Sequence, residues 1–301
     1  MVASGSCVFL WRAGFAGDIL MSTPAVRALK AQRPEVYIAY GCWKQYHPLV
    51  ELNPAIDKVY YECETALSEF GYHVDFRHEK AGKFNDGKTY WGKLHAEDIA
   101  ATGLIDIEKI TDWLPEIWLR PEDVPERTHS EKPLVVFGHW SNNGRNWRLW
   151  PLERWEELSL RFKAKGWRRV LVGAPGEPTF DVDVNLVGRT HFRLTAGVTA
   201  IADLVVAIDA YTAHAAHAYK CVVDGPRYGP SKVVLVTGPV DPAGVVPPSA
   251  KCTVARQYDG CGLGGPCGQS FGPTVCEFGN ACMQGLTVER VWTVCEQVVA
   301  L

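Results

Sequence analysis

Short apolar runs alternate with longer amphipathic stretches along most of this chain. "CVFLW" (Cys7–Trp11) reads as a strand, and the helical pattern after it stops at Pro34. "VYIAYG" (Val36–Gly41) and "KVYYE" (Lys58–Glu62) read as the next two strands. Between residues 64 and 112 the period is clear only in "YWGKLHAEDIAATGL" (Tyr90–Leu104), a helix closed by Gly103. Ile117–Pro133, rich in proline and charge, reads as a linker. The series then restarts. "LVVFG" (Leu134–Gly138) is a strand, and Pro151–Gly166 is a helix with proline at its start and glycine at its end. "RVLVGAPGE" (Arg169–Glu177) gives strand and turn, "RLTAGVTAIADL" a helix, "VVAID" (Val205–Asp209) a strand and "AHAAHAY" a helix. "KVVLVTGP" (Lys232–Pro239) closes the sheet, and the last segment is an amphipathic helix capped by Thr287. Such alternation predicts an α/β chain of two Rossmann-like halves, with the ligand cleft between them. The expected boundaries are 1–125, 126–285 with a cysteine-rich loop at 252–283, and a helix at 286–301 returning toward the first half.

A chain of 301 residues has room for two such domains, at about 150 residues each. A formal charge of -3 gives no general pull toward nucleic acid. The absence of a long apolar run argues against a membrane span, and "MVASGSCVFLW" lacks the basic flank of a signal peptide. The expected location is cytoplasmic. Of ten cysteines, Cys7, Cys42, Cys63 and Cys221 lie beside apolar segments and read as buried thiols. Cys252, Cys261, Cys267, Cys276, Cys282 and Cys295 crowd into the end of the chain, where clustering favours a metal over disulfides.

Five stretches could carry chemistry. Gly17-Asp18 follows the first strand, so Asp18 reads either as a helix cap or as a general base at the rim of a parallel sheet. Ser141–Trp155 carries Arg145 and Arg148, which read as a diphosphate clamp or as solvated loop arginines; Gly138 and Asn143 lie on the same approach. In "VVAIDAYTAHAAHA" the strand ends in Asp209, and the backbone amides of Tyr211, Thr212 and Ala213 would face an anion at the helix start. His214 and His217 share a helix face there, as core histidines or as a zinc pair. Cys261, Cys267, Cys276 and Cys282 form two pairs in a glycine-rich loop, read as a structural zinc or iron site or as unligated thiols. "KAGKFNDGKTYWGK" (Lys80–Lys93) interleaves lysines with aromatics and reads as a solvated loop or a nucleic-acid contact.

In this order the pieces resemble the ADP-heptose:lipopolysaccharide heptosyltransferase family, glycosyltransferase family nine. The resemblance rests on "GFAGDILMSTPAVRALKAQRP", "RLWPLERWEEL", "VLVGAPGE", "ADLVVAIDAYTAHAAHA" and "CEFGNACMQGLTVERV". It implies a GT-B fold, with an acceptor-binding first domain and a nucleotide-sugar-binding second domain. Asp18 would deprotonate an acceptor hydroxyl that attacks the anomeric carbon of an ADP-, UDP- or GDP-linked sugar with inversion and without a catalytic metal. Arg148 and the amides after Asp209 would stabilise the leaving diphosphate, and Glu177 falls near the acid that approaches the ribose. Three departures stand out: Arg148 replaces a lysine, Tyr211 puts a ring where glycine lets backbone approach phosphate, and the first domain, whose loops set the acceptor, is short. The acceptor is open between a lipopolysaccharide core sugar, a protein and a modified base of phage DNA, and a homo-oligomer is also open. The non-enzymatic alternative is a binding or assembly protein on the same fold.

Overall fold

The computed structural model describes residues 7–61, 70–76, 89–127, 132–141, 146–259, 261–267 and 276–299. The first half contains β1 (Cys7–Trp11), α1 (Ala16–Gln32), β2 (Tyr37–Cys42), β3 (Lys58–Tyr61), β4 (Tyr72–Asp75), α2 (Trp91–Ala100) and β5 (Glu116–Leu119). Next come β6 (Leu134–Gly138), α3 (Leu152–Ala164), β7 (Arg168–Leu171), β8 (Val184–Asn185), α4 (Phe192–Ala200), β9 (Leu204–Ile208) and α5 (Tyr211–His217). The chain ends with β10 (Tyr219–Val222), β11 (Arg227–Tyr228), β12 (Val233–Val236), α6 (Pro242–Val245), β13 (Cys252–Ala255), α7 (Ala281–Gly285) and α8 (Val288–Val298).

Two parallel sheets carry the halves. One runs β3-β2-β1-β4 and the other β13-β12-β9-β6-β7-β8. Read outward from β6, the second has the doubly wound order, with a crevice where strand order reverses between β6 and β9. Its central strands are apolar throughout because both faces are covered. Val135 and Phe137 pack with α3 and α8 residues, while Leu134 and Val136 join the cluster on the opposite face. The sequence expectation that Lys232–Pro239 closes this sheet is corrected: β13 pairs beyond β12 and forms the edge.

The stretch read as a linker opens with a strand. β5 pairs in parallel with β10, so a small third sheet, β11-β10-β5, joins the two halves. α1 holds β5 from the other side. Pro24, inside α1, cannot donate to the Leu20 carbonyl; the Thr23 hydroxyl does so instead at 2.8 Å, and accepts the Glu116 N–H at 2.8 Å. Arg27 of α1 then pairs with buried Glu116 at 2.8 Å. α8 is also placed differently from expectation. It packs on α3, β12 and β13, within the second half, because Val291, Trp292 and Val294 complete that core. Thr287 caps it as expected, accepting the Arg290 N–H at 3.2 Å.

Lys220 is fully buried in β10, donating to the Ala216 carbonyl at 3.2 Å and to Ser231 at 3.1 Å. Burial pushes its ammonium down to about 7 from 10.5. The folded value lies below the unfolded one, so unfolding takes up a proton across that window and stability rises as pH climbs through it. We expect Lys220→Met to flatten this dependence by about one proton, read as the change in denaturant midpoint between about pH 7 and about pH 10.

Candidate active site

Asp18 is the third residue of α1, directly beyond the carboxyl end of β1. Its Oδ2 accepts the Phe15 N–H at 2.7 Å, and its Oδ1 lies 3.1 Å from Arg12 Nη2. The helix-cap reading is therefore observed. Each oxygen keeps a further lone pair, so capping leaves capacity to accept a proton. The side chain is 20% exposed, enough for a substrate to reach it. Arg12, nearly buried at the end of β1, was not foreseen; a single arginine after an apolar strand carries no periodic signal.

Across the crevice, Arg148 and Asp209 stand after β6 and β9, the strands that flank the switch point. Arg148 Nη1 donates to Asp209 Oδ2 at 2.7 Å and to the Asp209 carbonyl at 3.3 Å. His214 Nε2 lies 3.3 Å from Asp209 Oδ1. Burial alone would raise the Asp209 carboxyl; the Arg148 guanidinium and the bond from His214 outweigh it and hold it at about 2. Asp209 thus orients two cationic or donor groups. Arg148 Nε is buried without an acceptor among the described residues, a donor left over for a ligand. The guanidinium is also braced by the Trp147 ring, 5.0 Å from its carbon.

Two glycines bring these parts together. A Cβ on Gly138 would lie 2.5 Å from Thr212, so only glycine lets the start of α5 sit on the end of β6. A Cβ on Gly17 would lie 2.4 Å from His214 Cδ2. His214 therefore touches the residue beside Asp18, and α1 packs on α5 across the halves.

Other expected residues fall out differently. The Ala213 N–H bonds the Ala210 carbonyl at 3.0 Å, so it is not free for an anion. Tyr211 does not crowd that place with its ring. The hydroxyl donates to the Phe192 carbonyl at 2.7 Å, and the ring meets Phe192 edge-on, which in turn contacts Tyr46 of the first half. Packing between the halves captures the ring, leaving only backbone at the helix start. Glu177 sits after β7 on the same rim, folded back against Gly173, and burial pushes its carboxyl up to about 7. His217 is buried with neither ring nitrogen bonded among the described residues, and burial lowers it to about 3. With His214 turned to Asp209, the zinc-pair reading fails. His139, buried at the end of β6 against Trp155 and Phe180 and lowered to about 4 by burial, went unread. Asn143, Arg145 and most of Lys80–Lys93 lie outside the described residues.

Cys261, Cys267, Cys276 and Cys282 do gather, lining one cavity of about 190 Å³ with Trp147, Leu263 and Phe278. None of the four is joined in a disulfide among the described residues, and the Cys267 thiol donates to the Pro239 carbonyl at 3.6 Å. Burial pushes Cys282 up to about 11, with the neighbouring thiols adding to the rise. Among the described residues, however, no three His, Cys, Asp or Glu side chains are placed to hold an ion. Cys282 instead packs on Gly238, where a Cβ would lie 2.5 Å from its sulfur. The expected structural zinc or iron is not supported by this arrangement.

Comparison with known proteins bears on the same residues. Residues 118–223 match the model of glycosyltransferase family 9 (heptosyltransferase). No curated protein matches the chain by sequence. Over its whole length the chain is similar to the glycosyl transferase family 9 structure from Veillonella parvula DSM 2008, with TM-score 0.66, 17% identity, and 100% and 99% of the two chains covered. It is also similar to E. coli heptosyltransferase WaaC with ADP-2-deoxy-2-fluoro heptose, with TM-score 0.63, 17% identity and coverage of 97% and 99%. The iron-containing dodecameric glycosyltransferase TibC from enterotoxigenic E. coli H10407 matches with TM-score 0.70, 12% identity and coverage of 98% and 78%. The two parallel-sheet halves are those of the GT-B fold, as the sequence resemblance implied. No helix among the described residues is long and apolar enough to cross a membrane.

Proposed function

From the likeness to glycosyltransferase family 9, which makes a sugar transferred from a nucleotide the general activity, we propose an inverting transferase with Asp18 as its base. The observation that carries this reading is the contact of His214 with Gly17. It sets the Arg148–Asp209–His214 group of one half beside the carboxylate of the other. The acceptor hydroxyl gives its proton to Asp18 as its oxygen bonds to the anomeric carbon. The bond from that carbon to the diphosphate oxygen breaks, and the electron pair leaves with the nucleotide. Arg148, His214 and the Tyr211 and Thr212 amides then face the developing charge, which oriented donors in a dry crevice stabilise without reorganising. Asp209 touches no substrate here; it keeps Arg148 and His214 aimed. Glu177, at the same rim, is placed for the ribose hydroxyls.

An ADP-linked sugar is the donor to test first, since the WaaC structure carries an ADP-sugar analogue; UDP- and GDP-linked sugars are the other arms. The acceptor in this reading is a sugar hydroxyl of a lipopolysaccharide core-like glycan, with a protein acceptor as the other outcome. Isothermal titration with ADP, UDP and GDP tests the donor half directly. One of the three should bind, and Arg148→Met should weaken it by about ten- to a hundredfold, the worth of a charge-assisted hydrogen bond. Absence of binding by all three nucleotides at millimolar concentration would overturn the reading.

A further inference from the structure

The carboxyl rim of the first sheet carries more than Asp18. Trp11 ends β1, Trp43 directly follows β2, and Phe15 lies one helical turn before Asp18. Trp11 is buried and meets Trp43 edge-on at 6.2 Å between ring centres. Gly41 makes room for the Trp11 ring beside Phe9, since a Cβ there would lie 2.5 Å from Trp11 and 2.7 Å from Phe9. The two outer rings are left in the open: Phe15 is 57% exposed and Trp43 40%. Side chains of this size usually hide most of their surface, and exposed ones flanking a site point to a ligand.

The backbone that carries both rings is held. The Phe15 N–H is bonded to the Asp18 carboxylate itself at 2.7 Å. The Trp43 carbonyl accepts the Tyr46 N–H at 2.8 Å, which starts the helical turn Lys44–Leu49. Tyr46 then points inward to Phe192 of the other half, fixing that turn from behind. The chain that bears the two rings is thus fixed on the rim that carries Asp18.

We propose that Phe15 and Trp43 form the acceptor subsite: a pair of aromatic faces that bind the C–H side of a neutral sugar ring and turn its hydroxyl toward Asp18. This rests on the transferase reading above. The chemistry favours a neutral ring over an anion. The rings carry negative faces, the adjacent Asp18 is acidic, and the nearby Arg12 is already paired with that carboxylate. A sugar supplies an array of C–H groups for those faces and, on its edge, the hydroxyl that the reaction needs.

Saturation-transfer NMR with irradiation of protein aromatic protons reads the contact. The probes are the methyl glycosides of glucose, galactose and mannose, with thymidine as a planar competitor and the donor half filled by a saturating amount of whichever of ADP, UDP or GDP binds. At least one glycoside should receive saturation at its ring C–H protons. Phe15→Ala and Trp43→Ala should each cut that signal about fivefold, in line with the worth of an aromatic contact, and Trp43→Phe should retain it. Affinity for that nucleotide should be the same in all three variants, which reports that the fold and the donor half are intact. Saturation of no glycoside, of thymidine in their place, or an unchanged signal in both alanine variants would overturn the proposal. Failure of the unaltered protein to bind ADP, UDP or GDP bears on the transferase reading instead, and is read separately.

Discussion

Asp18→Asn should lower sugar transfer by about 10²- to 10⁴-fold, the range in which a positioned general base contributes. The amide keeps the size of the side chain, and its carbonyl oxygen can still accept the Phe15 N–H that now goes to Oδ2 at 2.7 Å. What it loses is proton affinity and the pairing with Arg12. Nucleotide affinity should therefore change little while turnover collapses. Asp18→Ala separates the two roles of the residue: it removes the cap as well, adding a stability loss of about 0.5–2 kcal/mol. The measurement is release of nucleotide diphosphate in the presence of acceptor, together with a denaturation midpoint for each variant. Full turnover in Asp18→Asn would leave only the cap.

Asp209→Ala should be the most destabilising single change at the site. It strands the Arg148 guanidinium, whose side chain is only 12% exposed, and removes the partner of His214. Breaking a buried pair from one side costs about 3–5 kcal/mol, because the remaining charge has neither water nor counter-ion. The double change Arg148→Met/Asp209→Ala should recover more than half of that loss, since no charge is then left unpaired. Equal losses in single and double variants would show that the aspartate acts through its backbone surroundings instead. The pH dependence has a definite sign. The folded carboxyl titrates at about 2, below the ordinary 3.8. The unfolded chain therefore takes up its proton first as pH falls. The contribution is full above about pH 4 and fades toward pH 2.

The sequence was legible where one signal sufficed. β1, β6 and β9 are apolar runs that end at a glycine, an arginine or an acid, α3 carries its own start and stop residues, and α8 its start at Thr287. The candidate side chains Asp18, Arg148 and Asp209 could be singled out because each follows such a strand, where parallel sheets place their ligands. What stayed hidden depends on partners distant in the chain. β5, β10 and β13 are four residues each, and Glu116 or Lys220 within them breaks any apolar pattern. Those two are tolerated because Arg27 and Ser231 meet them in the fold. Tyr211 has the spacing of a phosphate-facing residue, yet Phe192 and Tyr46 draw its ring away. The cysteines show the opposite failure. Their spacing foretold that four would meet, while the packing of Cys282 on Gly238 decides how they meet.

The parallel ladder between β5 and β10 gives the molecule a spine in addition to its covalent crossing. The backbone of Asp123 lies so close to α4 that a Cβ on Gly197 would meet its carbonyl at 1.8 Å, and Arg193 holds the same aspartate at 3.1 Å. The crossing chain is therefore riveted to the second half before it leaves the first. Arg193 also pairs with Glu51 of the first half, so one guanidinium fastens the crossing chain and both halves together.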